Sequence, residues 1–101
     1  MTSYFLVREA QGPTWDHARP RRSQRGWDEH AAFMDALTDE GVVVLGGPVG
    51  PGDGTDAVLV VDLPDEAAVL ARLAGDPWLR DGTLAIRDVE PWTVLLSRAA
   101  H

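Results

Sequence analysis

Two apolar segments in the middle of the chain limit the possible folds more than any other feature. Residues 42–45 (Val-Val-Val-Leu) and 56–62 (Asp-Ala-Val-Leu-Val-Val-Asp) are rich in β-branched residues, and five glycines and two prolines lie between them in residues 46–55. This pattern predicts two strands joined by a hairpin connection. Uninterrupted apolar strands are typically buried on both faces, so both sides of the predicted sheet have to be covered.

One helix is predicted before this pair of strands in the sequence, and a second helix is predicted after it. The first helix runs from about Trp27 to Glu40 and stops at Gly41, a residue type that favours helix C-termini. One face of this helix carries Trp27, His30, Ala31, Met34 and Leu37 at helical spacing. The second helix begins with Pro64 at its first helical position and ends at Gly75. Its apolar stripe consists of Val69, Leu70 and Leu73.

Further strands are predicted near both ends of the chain. Residues 4–8 form the first strand, and residues 83–89 form the fourth, with Leu84 and Ile86 alternating. Pro91 is expected to break that strand, so residues 92–96 are predicted as an extra C-terminal strand. The order β-α-β, hairpin, β-α-β indicates a ferredoxin-like βαββαβ α+β sandwich that forms a single domain over residues 1–101. Since the helices cover only one face of such a sheet, we expect a homodimer in which a second copy covers the other face.

The composition excludes several classes of protein. The chain has nine arginines, no lysine and sixteen acidic residues, and the net charge of −7 argues against a nucleic-acid surface. No apolar run approaches the roughly 18 residues of a membrane span. The N-terminus lacks the basic and apolar stretches of a signal peptide, so the expected location is cytoplasmic. The absence of cysteine excludes thiol catalysis, disulfides and cysteine-bound metals.

Residues 9–26 form a long segment without periodicity, and loops of this length are often functional or disordered. The segment contains Trp15, His17 and four arginines, so we expect part of it to fold over another element. Trp15 either lines the mouth of a pocket or only holds the loop against the sheet. His17 is expected to be a solvated loop residue. The arginines either receive an anionic substrate or the partner's carboxylates, or they form ordinary surface ion pairs, and the many acidic residues favour surface pairing.

His30 is the most unusual residue of the first helix, because a titratable imidazole lies within its apolar face. A buried polar group without a hydrogen-bond partner costs about 1–3 kcal/mol. His30 is therefore either a satisfied core histidine or a functional base held by a partner. No pair of metal ligands at helical spacing is present, so neither a metal nor a cofactor is expected.

The chain resembles the YciI-like (YCII-related) family, in its longer variety with an extended first loop. The resemblance covers essentially the whole chain in order. It is carried by Tyr4-Phe5-Leu6, Gly12-Pro13-Thr14-Trp15, Trp27-Asp28-Glu29-His30-Ala31-Ala32-Phe33-Met34, Gly46-Gly47-Pro48 and Asp76-Pro77-Trp78. This resemblance implies the fold of a dimeric α+β barrel. It also implies an active site built on the histidine of the first helix and the aspartate of the Asp-Pro-aromatic turn, which correspond to His30 and Asp76.

An Asp76 carboxylate holding one imidazole nitrogen leaves the other free as a general base. Trp15, Phe33 and Trp78 are the candidates for contact with the substrate. In the family, elimination from chlorinated hydroxyquinol-type substrates has been assigned to some members, and relatives on the same fold include monooxygenases and isomerases. The resemblance therefore implies a small-molecule enzyme using a His-Asp acid/base pair for elimination, isomerisation or cofactor-free oxidation. The alternative is a non-catalytic metabolite-binding or accessory protein with the same pocket.

Overall fold

A computed structural model of the chain describes residues 2–52 and 56–98. Within these residues, four strands form one antiparallel sheet in the order β2-β3-β1-β4. The elements are β1 (Thr2–Gln11), α1 (Trp27–Asp39), β2 (Val43–Val49), β3 (Asp56–Val61), α2 (Glu66–Leu73), α3 (Pro77–Asp81) and β4 (Leu84–Val94). The predicted ferredoxin-like α+β fold, that of the dimeric α+β barrel proteins, is confirmed.

The main core lies between the helices and one face of the sheet. It consists of Leu37 from α1, Val69 and Leu73 from α2, Val42 from the turn before β2, and Val7, Val43, Leu59 and Val61 from the strands. The alternation of apolar residues along β1 and β3 directs these side chains to the same face of the sheet. None of these eight side chains is more than 7% exposed, so the sheet and the helices bury a continuous apolar layer.

β4 is one long strand rather than two. It pairs with β1 from Leu84 to Val94, and Pro91 lies opposite Phe5 within this ladder. The predicted break at Pro91, with its separate C-terminal strand, was therefore wrong. β4 is an edge strand of the sheet, and an edge strand tolerates proline because an outward-facing position needs no N–H donor.

A β-bulge at Arg87 keeps the apolar side chains before and after it on the helix side of the sheet. Val7 pairs with Val89, but Glu9 pairs with Ile86, so Arg87 is the extra residue in the ladder. Even-numbered residues of β4 face the helices before the bulge, and odd-numbered residues face them after it. Arg87 itself is exposed and donates a 2.8 Å hydrogen bond to Asp56.

The end of β2 and the start of α2 also differ from the prediction. β2 continues through Gly46, Gly47 and Pro48 to Val49, so the connection to β3 is shorter than residues 46–55. Residues 53–55 of that predicted connection lie outside the described residues. Asp65, not the residue before Pro64, caps α2 by accepting a hydrogen bond from the Ala68 N–H.

The face of the sheet opposite the helices is largely apolar. It contains an open groove of about 550 Å³. The groove is lined by Tyr4, Leu6, Val44, Leu45, Val58, Val60, Trp92, Val94, Leu96 and Ser97. Leu45 is 61% exposed on this face. Among the described helices, none is long and apolar enough to cross a membrane.

Candidate functional site

His30 and Asp76 are in direct contact although 46 residues separate them in the sequence. His30 Nδ1 lies 2.8 Å from one carboxylate oxygen of Asp76 and 3.0 Å from the other. Asp76 is completely buried and His30 is 8% exposed. An ionised carboxylate only accepts hydrogen bonds, so with Asp76 ionised the proton of this bond is on Nδ1 and His30 donates it.

The local sequence places Asp76 at the start of a short helix. The residue before a proline avoids helical geometry, and Asp76 is extended with a ψ of 121°. Pro77 then begins α3, because proline is accommodated at the first helical position. Oδ1 of Asp76 accepts a 3.0 Å hydrogen bond from the Trp78 N–H as the helix cap. The segment predicted as a turn is thus a helix start, and the capping bond fixes the carboxylate that meets His30.

The imidazole of His30 is stacked on the indole of Trp78. Their ring centroids are 4.0 Å apart and the planes are 7° from parallel. Trp78 is itself held by a 2.9 Å hydrogen bond from its Nε1 to the carbonyl oxygen of Arg25. The hydrogen bond to Asp76 and this stack fix both the tilt and the rotation of the imidazole, which is the preorganisation that a catalytic base requires.

Gly26, the residue before α1, is favoured by its backbone conformation. Its φ of 80° lies in the left-handed region, and its Cα lies against Trp78, where an added Cβ would make an ordinary contact of 3.4 Å with Nε1. The Gly26 carbonyl oxygen accepts the first helical hydrogen bond from the His30 N–H. This glycine therefore lets α1 start directly over Trp78, which brings His30 onto the indole.

The long segment after β1 packs over α3 and the start of β4, as expected for part of it. Gln24 is buried. Its Oε1 accepts a hydrogen bond from the Asp16 N–H, and its Nε2 donates hydrogen bonds to the carbonyl oxygens of Asp16 and Arg19. Thr14 donates a 2.9 Å hydrogen bond to the carbonyl oxygen of Asp81 at the end of α3. The loop is therefore an ordered cover over the region beside His30.

Glu9 and Arg21 are two buried charged residues that the sequence prediction missed. Glu9 is 2% exposed on the helix side of β1, and Arg21 is 6% exposed in a short 3-10 turn formed by residues 21–23. Burial and the negative charge of Asp76 raise the pKa of Glu9 from 4.5 to about 7, although Arg21 opposes this shift. Oε2 of Glu9 has no hydrogen-bond partner among the described residues. The sequence did contain a sign that Glu9 is buried: Glu9 follows Phe5 and Val7 at a spacing of two residues, which places its carboxyl on the core face of the strand.

The predicted substrate contacts are not equivalent in the structure. Trp78 has no exposed surface and lies behind the imidazole as a supporting plate. Trp15 is 7% exposed and packs edge-on against Trp78 with ring centroids 5.9 Å apart, so it holds the loop down. Phe33 packs against the main core beside Gly75. As expected, His17 is exposed.

Trp27 is the aromatic residue beside His30 that retains open surface. Its ring centroid lies 5.8 Å from His30 and 5.6 Å from Trp78, and the residue is only partly buried. The sequence placed Trp27 on the core-facing side of α1, which is correct, but gave no indication that its ring stays accessible. A planar molecule approaching His30 from solvent would therefore meet Trp27 before it meets Trp78.

The large groove and the His30 site lie on opposite sides of the sheet. The groove is lined by residues such as Leu6 and Val60, which face away from the helices. In the part of the chain described here, no group of three His, Asp or Glu side chains is placed to hold a metal ion. The chemistry available at His30 is proton transfer, with Asp76 orienting the ring.

Comparison with known proteins agrees with this fold. The sequence profile of the YCII-related domain family matches residues 5–93, which confirms the resemblance seen in the sequence. No curated protein matches the chain. One similar solved structure is the 5-chloro-2-hydroxyhydroquinone dehydrochlorinase TftG from Burkholderia phenoliruptrix AC1100, in complex with 2,5-dihydroxybenzoquinone. It is 24% identical with a TM-score of 0.58, and the match covers 91% of this chain and 94% of that one.

Proposed function

The chain belongs to the YCII-related domain family, and we propose that it is a small-molecule enzyme in which His30 accepts a proton and Asp76 orients it. The observation that carries this proposal is the buried hydrogen bond of 2.8 Å between His30 Nδ1 and Asp76. With the Nδ1 proton committed to the carboxylate, the lone pair of a neutral ring lies on Nε2. Nε2 is then the atom that takes a proton from the substrate.

The proposed reaction is a proton abstraction that ends in elimination, isomerisation or cofactor-free oxidation of a small cyclic or carbonyl compound. In an elimination, Nε2 takes the proton, the electron pair of the broken bond forms a double bond, and the leaving group departs with its own bonding pair. The imidazolium that results is stabilised by the negative charge of Asp76. The same proton can then be returned to solvent or to another carbon of the substrate.

A structurally similar protein supports the choice of substrate. TftG is named as a dehydrochlorinase of 5-chloro-2-hydroxyhydroquinone, and its bound ligand is a planar cyclic dicarbonyl. A planar ring of this type fits beside the partly buried Trp27, whose ring centroid lies 5.8 Å from that of His30. The proposed binding position is therefore on the solvent side of His30 next to Trp27, and Trp78 supports the imidazole from behind.

The proposed assembly is a homodimer through the open faces of two sheets, located in the cytoplasm. Val44, Leu45 and Trp92 are each more than 40% exposed on this face, and they line one continuous groove. Exposed apolar patches of this extent mark interaction surfaces. A second copy presents the same patch, which is what a two-fold symmetric interface requires.

Two measurements on the purified protein test the proposed function. Chloride release from 5-chloro-2-hydroxyhydroquinone is compared among wild type, His30→Ala and His17→Ala, and binding of 2,5-dihydroxybenzoquinone is followed by the NMR signals of the His30 ring. Loss of a general base lowers the rate by roughly 10²–10⁴-fold, so His30→Ala is expected to fall by this factor. His17→Ala removes an exposed loop histidine and is expected to retain the wild-type rate.

Other outcomes of the same experiment contradict the enzyme proposal. If 2,5-dihydroxybenzoquinone shifts the His30 signals but no chloride is released, the protein is a metabolite-binding protein that uses the same site. If His30→Ala and His17→Ala release chloride at the same rate, His30 is not the base. Thermal unfolding of each variant shows whether the loss of activity is accompanied by a loss of the fold.

A further inference from the structure

The positive charge of this chain is concentrated beside the His30 site. Residues 17–27 contain four arginines and no acidic residue, whereas the rest of the chain has five arginines and all sixteen acidic residues. The segment is thus strongly cationic within a chain of net charge −7. It also packs against Trp15 and Trp78, and its Arg22 lies over the ring of Trp27 at its own end.

Two of these four arginines interact with carboxyl groups of the described structure. Arg21 is buried and acts electrostatically on the carboxyl of Glu9. Arg19 Nε lies 3.5 Å from a carboxylate oxygen of Asp16. For Arg19 the expected surface ion pair is therefore found.

Arg22 and Arg25 have a different environment. The Arg22 guanidinium lies 5.7 Å from the ring centroid of Trp27, and Arg22 is exposed. Arg25 is also exposed, and its carbonyl oxygen holds the indole of Trp78. Within the described residues, neither guanidinium makes an ion pair with a carboxylate, although Asp28 and Glu29 follow closely at the start of α1.

Arginines elsewhere on the surface include both paired and unpaired examples. Arg8, Arg72 and Arg87 each lie 2.6–3.0 Å from a carboxylate oxygen. Arg80 and Arg98, like Arg22 and Arg25, are in no ion pair among the described residues, so what distinguishes Arg22 is its position at Trp27 beside the site. Within one chain, the predicted surface pairing is thus not found for Arg22 and Arg25. The Arg22 guanidinium lies beside Trp27, and the backbone of Arg25 contacts Trp78.

We propose that Arg22 and Arg25 bind the negative charge of a planar anionic substrate, such as an aromatic carboxylate, phenolate or enolate. This inference rests on the proposed function of His30 and specifies the substrate class of that site. The planar ring lies on the solvent side of His30 next to Trp27, and its anionic group lies toward the two guanidinium groups. A guanidinium is well suited to this role because it binds carboxylate oxygens in pairs and stacks on aromatic rings.

The arrangement also matches the charge changes of the proposed reaction. Removal of a proton by His30 leaves additional negative charge on the substrate. Cationic groups already placed near that position stabilise the charge as it develops. Arg22 and Arg25 thus favour both the binding of the anion and its conversion.

The test compares benzoate with benzamide, two planar probes of nearly the same shape that differ in charge. Binding to the wild type is measured from the shifts of the His30 ring signals in NMR titrations. We expect benzoate to bind at least roughly tenfold more tightly, which corresponds to one charge-assisted hydrogen bond. This preference is expected to weaken as salt is added, because the two arginines are exposed.

The double variant Arg22→Gln with Arg25→Gln is expected to bind the two probes equally. The matched control is Arg72→Gln with Arg87→Gln, which removes the same charge from exposed positions elsewhere and is expected to keep the preference for benzoate. A preference that survives in the first double variant, or disappears in both, overturns the inference.

The failure of this inference is distinguishable from failure of the proposed function. Equal binding of benzoate and benzamide to the wild type, with the His30 signals shifted by both, overturns the anionic substrate class but leaves His30 as a binding site. Absence of any shift at His30 with either probe contradicts the anionic substrate class and the proposed site together.

Discussion

The two faces of the sheet carry different kinds of side chain. On the helix side, Asp76, Glu9 and His30 are less than 9% exposed, and the His30 ring lies beside Trp27 and Trp78. On the open side, Leu45 and Trp92 are 61% and 43% exposed and line the large groove. One face therefore holds titratable groups in nearly closed surroundings, and the other offers a wide apolar surface.

This difference separates the groups of the proposed chemistry from those of the proposed assembly. A buried His-Asp pair is positioned by dry, well-packed surroundings, because each unsatisfied polar atom there costs free energy. An exposed apolar groove is unfavourable in water and is stabilised when a partner covers it. The groove offers apolar surface for a partner, and the proposed proton-transfer groups lie on the other face.

The largest expected effect concerns assembly on the open face. Leu45→Glu places a charge in the centre of the proposed interface, and burying an unpaired charge costs several kcal/mol. We expect wild type at the mass of a dimer and Leu45→Glu at the mass of a monomer, measured by light scattering after gel filtration. Leu70→Glu, at a 43% exposed position of α2, is the control and is expected to stay dimeric. A wild-type mass of one chain contradicts the homodimer.

The next effect concerns Glu9 on the closed face, and its sign follows from the raised pKa. Glu9 keeps its proton up to about pH 7 in the folded chain and only to about 4.5 in the unfolded chain. Below about pH 4.5 Glu9 is protonated in both states, so no stability is lost. Between the two values the folded chain binds the extra proton, so wild type loses stability as the pH rises toward 7.

Glu9→Gln removes this proton linkage. We expect the variant to be more stable than wild type above pH 7 by up to roughly 3 kcal/mol, with a smaller difference near pH 4.5, in urea unfolding at several pH values. Glu40→Gln removes an exposed carboxylate paired with Arg72 and is expected to change stability by no more than about 1 kcal/mol. Parallel curves for wild type and Glu9→Gln would show that Glu9 ionises as it does in the unfolded chain.

The smallest effect compares two helix caps. Asp76→Asn retains a carbonyl oxygen for the Trp78 N–H but loses the negative charge opposite His30. We expect a loss of about 1–3 kcal/mol in thermal or urea unfolding. Asp65→Asn is the matched control, because Asp65 caps α2 without a histidine partner, and Asn caps helices about as well as Asp. Equal losses for the two variants would mean that the contact with His30 adds no stability.

The order of the elements could be predicted from the sequence because it follows from local periodicity. The apolar strands around residues 42–45 and 56–62 and the helical stripe of α1 were identified correctly. The continuity of β4 could not be predicted in this way. Pro91 is compatible with a strand only at a sheet edge, and the position of a strand in the sheet is a tertiary property. The bulge at Arg87 likewise appears only when β4 is aligned with β1.

The candidate site was predictable in part. His30 and Asp76 were paired through the family resemblance, since no local pattern relates residues 46 positions apart. The accessible ring of Trp27 could not be distinguished from a core tryptophan by spacing alone. Glu9 was recognisable in principle from its alternation with Val7, but a carboxylate at the end of an apolar strand equally suggests that the strand has ended.

The length of the bulged strand β4 determines the distance between the surroundings of His30 and the open groove. Leu84 at its start packs with Trp15 and Trp78 under the loop, and Trp92 near its end lines the open groove. At about 3.3 Å per residue, these positions are about 26 Å apart along the strand. The interrupted ladder at Arg87 lies between them. A single strand thus spans from the indole that supports His30 to the proposed dimer contact, with side chains on the helix side of the sheet both before and after the bulge.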